Sequence, residues 1–184
     1  MTLPKTYMQM FSTLTPEGVL KMELVEQQMP TPKPNQVIVR VEASPINPSD
    51  LGVMFGMANT SEAISAGAGK DIALTAPVSA QGMRVMKARV GQALPVGNEG
   101  AGTVVAAGDS DVAQSLMGKV VAVMGGGMYG QYRCVDAAMC MPLLPGDTAK
   151  DGASSFVNPL TALSMLETMR MEGHTALVHT AAAS

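Results

Sequence analysis

Asn158-Pro159-Leu160-Thr161-Ala162-Leu163-Ser164-Met165-Leu166-Glu167-Thr168-Met169 and, after Gly173, Thr175-Ala176-Leu177-Val178-His179 mark where this chain changes character. Asn158 is a good helix N-cap and Pro159 a good first helical residue. Leu160, Leu163, Leu166 and Met169 recur at helical spacing, and Gly173 suits a C-terminal stop. Thr175 to His179 reads as a short buried strand. Thr180-Ala181-Ala182-Ala183-Ser184 are small residues of the kind that let a backbone approach a pyrophosphate closely. Helix, strand and small-residue loop together open a nucleotide-binding fold. The glycines and the second helix of such a site do not follow in the sequence. The expectation is one domain plus the first strand of another, with chemistry that needs residues beyond these.

Upstream of residue 145 the periodicity is that of strands. Met8 to Phe11 alternates, and Leu20 to Glu26 alternates more clearly, with Leu20, Met22 and Leu24 on one face. Pro30-Thr31-Pro32-Lys33-Pro34-Asn35 is a stiff turn. Gln36 to Ala43 is the strongest strand, with Val37, Val39 and Val41 facing one way. Ser44 to Asp50 is a loop punctuated by Pro45 and Pro48, and Ser49 or Asp50 is placed to cap a short helix. Glu99 to Ala106, Gly118 to Val123, Gln131 to Val135 and Met141 to Leu144 read as further strands, and Gly125-Gly126-Gly127 as a sharp turn. Many short strands with Gly and Pro turns predict a small β-barrel or sandwich. Residues 57–94 are rich in Ser, Ala and Gly and look like an insertion beside the core, with short helices around 60–66 and 80–88. Their basic residues Lys70, Arg84, Lys87 and Arg89 read as a solvated face.

Composition narrows the function classes. The 184 residues are 47% hydrophobic with a net charge of −3, which argues against disorder and gives no general attraction to nucleic acid or an anionic membrane. With 3% aromatic residues and no Trp, base-stacking platforms are not expected. No apolar run reaches about 18 residues, so no membrane span is expected. Cys134 and Cys140, the only two cysteines, make no disulfide framework or zinc knuckle and read as reduced thiols of a cytoplasmic protein. The 17 methionines suit an adaptable core or a flexible apolar cleft.

Five motifs occur in one order: Ile46-Asn47-Pro48-Ser49-Asp50, Gly97-Asn98-Glu99-Gly100-Ala101-Gly102, Gly118-Lys119-Val120-Val121-Ala122, Tyr129-Gly130-Gln131-Tyr132 and Val157-Asn158-Pro159-Leu160-Thr161-Ala162. Together they resemble the medium-chain dehydrogenase/reductase family, in its zinc-free NADPH:quinone oxidoreductase branch with the related 2-enoyl thioester reductases. The resemblance covers nearly all of the chain except 57–94. It implies a mainly β fold with some α: a GroES-like irregular β-barrel over residues 1–150, carrying the substrate site. Residues 151–184 would be the linking helix and first strand of a Rossmann α/β domain that binds NADPH. It also implies a homodimeric full-length enzyme acting on a small quinone or α,β-unsaturated carbonyl.

In zinc-containing relatives a Cys stands at the place of Asn47, a His at that of Asn98 and a Cys at that of Val157. None of the three residues here is a usual zinc ligand, so no metal site is expected. The resemblance assigns Asn47 and Asp50 to catalysis, and Asn47, Thr161, Thr180, Ala181 and Ala182 to the cofactor. Asn47 has an amide to donate to cofactor or substrate. The plainer alternatives are that Asn47 and Asp50 fix their loop, that Thr161 is a helix surface residue and that Glu99 braces the loop. On this reading Asn47→Ala costs turnover with little stability, and Asn98→Ala acts through stability. Thr180 stands where many relatives have glycine. The tyrosine of the enoyl thioester reductases falls at Ala58, which weakens that alternative. A non-enzymatic binding protein that retains the fold is the third.

Overall fold

The computed structural model describes residues 2–178, and ten strands in two antiparallel sheets of five carry the described fold. The first sheet contains β1 (Thr6–Leu14), β2 (Val19–Gln28), β4 (Ile64–Ala66), β5 (Ala73–Pro77) and β6 (Ala93–Pro95), in the order β4-β5-β2-β1-β6. The second contains β3 (Gln36–Ala43), β7 (Glu99–Ala107), β8 (Val120–Met124), β9 (Tyr132–Asp136) and β10 (Cys140–Pro142), in the order β10-β8-β7-β3-β9. Backbone bonds from Met10 N to Tyr129 O and from Gln131 N to Met8 O stitch β1 to the chain entering β9, which joins the sheets into the barrel. Short helices fill the corners: α1 (Pro48–Met54), α2 (Ala80–Val85), α3 (Asp111–Ser115) and α4 (Ala149–Gly152). The long α5 (Val157–Met171) follows.

The strongest predicted strand sits at the centre. Val37, Val39, Val104, Val121 and Val123 form the main core with Leu116 and Met128. A second core under the first sheet gathers Leu14, Leu20, Met22, Val78 and Met86. In β1 the buried positions are Tyr7, Gln9, Ser12 and Leu14, so the alternation changes phase midway and two polar residues point inward. Each finds a carbonyl, Gln9 Nε2 donating to Gly127 O at 3.1 Å and Ser12 Oγ to Met54 O at 2.7 Å. Buried polar groups are tolerated on such terms.

Four expectations change. Residues 57–94 are not set beside the core, because they supply β4, β5 and β6 to the first sheet. Their Ser/Ala/Gly content hid strands of only three to five residues; β5 and β6 pair long-range with β2 and β1, and β4 adds to the edge of β5. The cap of α1 is Asn47 rather than Ser49 or Asp50. Helix α5 begins one residue before Asn158, with Phe156 at the cap position. Thr175 to Val178 is not a strand; no described segment offers it a ladder, and a strand without a neighbour has nothing to pair its backbone. His179, Thr180, Ala181 and Ala182 lie outside the described residues. Gly173, at φ 72°, ends α5 as expected, with His174 N donating to Met169 O.

β3 and β7 run close together at Gly102, in a stretch bounded by register shifts between Ile38 and Val39 and between Val41 and Ala43. A Cβ added to Gly102 would lie 1.9 Å from the Arg40 carbonyl oxygen, so the two backbones would have to separate. Gly52 in α1 has open space around its missing Cβ. Gly102→Ala should therefore cost about 3 kcal/mol, or roughly 6–12 °C of melting temperature at this size. Gly52→Ala should instead add about 0.5–1 kcal/mol. Thermal melts of the two variants check the pair, and equal melting temperatures would contradict the close approach.

Candidate functional site

Asn47, Asp50, Asn98, Glu99 and Asn158 converge at one end of the barrel, where the loop into α1, the start of β7 and the start of α5 meet. Pro48 at the first turn of α1 fixes the chain direction there. Glu99 is fully buried as the first residue of β7. Its Oε1 accepts from Asn47 Nδ2 at 2.9 Å. Its Oε2 accepts from the backbone N–H of Phe156 at 2.8 Å and of Val157 at 3.1 Å. The carboxylate thus does for α5 what no side chain at its own cap position does, and it sits where the helix dipole favours negative charge.

Asn47 is 2% exposed. Because a carboxylate only accepts, the amide must turn its NH₂ toward Glu99, leaving Oδ1 to accept from Asn158 Nδ2 at 3.2 Å. One Nδ2 hydrogen and one Oδ1 lone pair remain uncommitted by these two bonds. Asp50, fully buried, accepts from the backbone N–H of Asn47 at 2.7 Å through Oδ2 and from that of Asn98 at 2.8 Å through Oδ1. It ties the α1 loop to the entry of β7. Asn98 Nδ2 donates to Ser49 Oγ at 2.9 Å at the exposed rim. Tyr129 lies under the same loop and donates its hydroxyl to Pro45 O at 2.8 Å. Burial, and then the Asp50 charge, raise its pKa far above the ordinary phenol value, so it stays protonated. Gly97, at φ 95°, leaves the space that this tyrosine fills; a Cβ there would come within 2.6 Å of the Tyr129 backbone and ring.

Of the residues expected at the site, Asn47 and Asp50 meet within one network. Thr161 is one helical turn along α5, is exposed, and donates its hydroxyl to Val157 O at 2.7 Å. Thr180, Ala181 and Ala182 lie outside the described residues. Asn158 was missed as a member, its sequence signal having been spent on a helix cap. Glu99 was read only as a brace, whereas it is the acceptor on which three separate donors converge. For stability the geometry orders the asparagines opposite to the expectation: Asn47 is buried with two side-chain bonds, and Asn98 is half-buried with one. Among the described residues, no group of three or more His, Cys, Asp or Glu side chains is placed to hold a metal ion. The nearest candidates to such ligands, Asp50 and Glu99, already accept two and three hydrogen bonds.

Residues 33–145 match the alcohol dehydrogenase GroES-like domain family. A candidate NADPH:quinone reductase from Mesorhizobium loti is similar at 30% identity and TM-score 0.64, over 94% of this chain and 46% of its own. The quinone oxidoreductase from Coxiella burnetii shares the fold at 20% identity and TM-score 0.61, over 90% and 46%. So does the CurK enoyl reductase, at 18% and 0.60, over 90% and 43%. The chain belongs to the alcohol dehydrogenase GroES-like domain family. It spans less than half the length of these solved structures.

Glu99→Gln keeps the shape but offers one acceptor oxygen to three donors and turns an NH₂ group toward some of them. It should cost about 2–4 kcal/mol, because a buried donor left unpaired loses its full desolvation term. Asn98→Ala, at the rim, should cost about 1 kcal/mol or less. Urea denaturation of the two variants gives the comparison, and a Glu99→Gln protein as stable as the parent would contradict the network.

Proposed function

We propose that this chain is the substrate-side part of an oxidoreductase that transfers hydride from NADPH to a quinone or an α,β-unsaturated carbonyl without zinc. The observation that supports it most is the Asn47 amide: a preorganised donor, buried, oriented by Glu99 and Asn158, at the end of the barrel where α5 departs. The 30% identity to a candidate NADPH:quinone reductase over nearly the whole chain points the same way.

NADPH supplies the hydride when bound. Of the residues implied to hold it, Asn47 and Thr161 are described; Asn47 keeps a second Nδ2 hydrogen beyond its bonds to Glu99 and Asn158, and the Thr161 hydroxyl keeps its acceptor capacity beyond its bond to Val157 O. They fit one contact each, to a carboxamide or a ribose hydroxyl. Asn47 would offer its second amide hydrogen to the acceptor's developing oxyanion or to the cofactor. Asp50 acts one step back, holding the Asn47 and Asn98 backbone in place through both of its oxygens. A reaction without a Lewis acid suits quinones and activated alkenes, whose oxygens take up negative charge against hydrogen-bond donors. The enoyl thioester alternative lacks its tyrosine: Ala58 forms a β-bridge with Val78. In the cell the full-length enzyme would act as a cytoplasmic homodimer.

In a form that includes the nucleotide-binding half, Asn47→Ala should lower kcat toward a quinone about ten- to a hundredfold, the range for loss of one preorganised donor. It should also lower stability, since Glu99 and Asn158 each lose a partner. Steady-state kinetics at saturating NADPH and quinone test this, and parental kcat would reject Asn47 as a catalytic group. The 184-residue chain by itself should show no saturable NADPH binding in the micromolar range by fluorescence titration. Micromolar binding would reject the assignment of the cofactor to the second half.

A further inference from the structure

The register of β9 places a cation on the core face of the second sheet. Val37 pairs with Val135 and Val39 with Arg133 across β3 and β9, and directly opposed residues share a face. Val37, Val39 and Val135 belong to the main core, so Arg133 carries a guanidinium where its neighbours carry apolar side chains. Arg133 is half-buried. Its Nε is closed to solvent and has no hydrogen-bond partner. None of the ion pairs among the described residues includes it. Arg89 also has a sealed Nε, but its Nη2 donates to Ser12 Oγ at 2.9 Å. With Nε closed off, the two Nη groups carry the remaining hydrogen-bonding capacity of Arg133.

A second donor meets the guanidinium at the turn before β9. A Cβ added to Gly127 would lie 2.7 Å from Gln9 Nε2, 3.3 Å from Arg133 Nε and 3.4 Å from Arg133 Cζ, so amide and guanidinium border one point. Gln9 is 4% exposed and spends one amide hydrogen on Gly127 O at 3.1 Å, which leaves the other to give. Tyr7 is close enough to feel the Arg133 charge, yet burial raises its pKa and keeps its hydroxyl a donor. A half-buried cation with no counter-charge is costly, and an anion among these donors removes the cost. One guanidinium balances one negative charge, so sulfate or phosphate would bring an excess into a half-buried place. The Nη fork fits the two oxygens of a carboxylate and can also close on a halide. We propose that Arg133, Gln9 and the Gly127 turn bind a small monovalent anion, either a halide or a monocarboxylate of the size of formate. The site is independent of the function proposed above. It touches the candidate site through one link: Gly125 and Gly126 donate their N–H groups to Asn98 O at 3.2 and 3.4 Å, so the anion braces the turn that holds Asn98.

The test needs no cofactor and no turnover. The nitrogen-15-labelled chain is titrated with sodium chloride and, separately, with sodium formate, each replacing sodium gluconate at constant ionic strength. The Nε–H resonance of Arg133 should shift saturably with a dissociation constant of about 5–50 mM, while those of the exposed Arg84 and Arg170 show no saturable change. The tighter of the two anions names the occupant, halide or carboxylate. At roughly tenfold that concentration the melting temperature should rise by about 3 °C. The sign is informative, because replacing a well-hydrated organic anion by chloride does not by itself strengthen burial. Arg133→Met keeps the length of the stem and removes the charge. It should weaken the anion dependence at least about tenfold and melt in gluconate at or above the parent, since an unpaired half-buried charge is gone. Arg133→Gln replaces it if the methionine variant does not fold. The site is overturned by the absence of a saturable shift with either anion, by equal shifts at Arg84, Arg170 and Arg133, by sulfate binding more tightly than both, or by a variant that keeps the parent's anion dependence.

Discussion

A buried carboxylate with no cation beside it is the constraint on which this end of the molecule depends. The ion pairs among the described residues are Lys21–Glu23, Arg40–Glu42 and Arg170–Glu167, all at the surface. Glu99 has no part in them. Its charge is held by neutral donors: one side-chain amide and two backbone N–H groups at the start of a helix. Removing a carboxylate from water is costly unless such donors are fixed in place. The cleft loop, the first strand turn of β7 and the first turn of α5 must therefore all be present for any one of them to be in position. Asp50 repeats the device at smaller scale, holding two backbone N–H groups.

The same logic orients the candidate catalytic amide. A side-chain amide on a loop is normally free to rotate by half a turn, exchanging donor for acceptor. Here the carboxylate on one side and the Asn158 NH₂ group on the other allow one orientation only. Pro45 and Pro48 flank the loop, and the Tyr129 hydroxyl holds Pro45 from below. Preorganisation of this kind is what lets a single hydrogen bond matter to a transition state.

Much of the fold is legible in the sequence. The strands at Leu20 to Glu26, Gln36 to Ala43, Glu99 to Ala106 and Gly118 to Val123 announce themselves by alternation and β-branched content, and the structure extends or trims them by a few residues. The pieces at 73–77 and 93–95 are not legible, because their strand character comes from partners about fifty to eighty residues away, and the edge strand at 64–66 exists only by pairing with the first of them. In β1, hydrophobic alternation pointed at Met8 and Met10, while tertiary carbonyls drew Gln9 and Ser12 inward instead. At the site, the motif residues Asn47 and Asp50 were visible, but the acceptor that organises them was not. A glutamate in a Gly-rich strand entry gives no sign in the sequence of the helix start, 57 residues later, that it will hold. Asn158 shows the opposite error, a residue whose local propensity suggested one role and whose long-range partner gave it another.

The sheet order also bears on how the chain reaches this state. β1 is paired on one side with its immediate neighbour β2 and on the other with β6, about eighty residues on, and β3 lies between β7 and β9 with no adjacent strand in sequence beside it. Few of these contacts are local, and each long-range ladder must close a large loop before it gains anything. Such a topology belongs to the slow class of folders, in the range of milliseconds to seconds. The bond from Asn158 to Asn47 spans 111 residues and can form only after both sheets and the start of α5 exist. The cleft is thus among the last parts of the molecule to assemble, and during synthesis its two buried carboxylates stay in water until the barrel beneath them has closed.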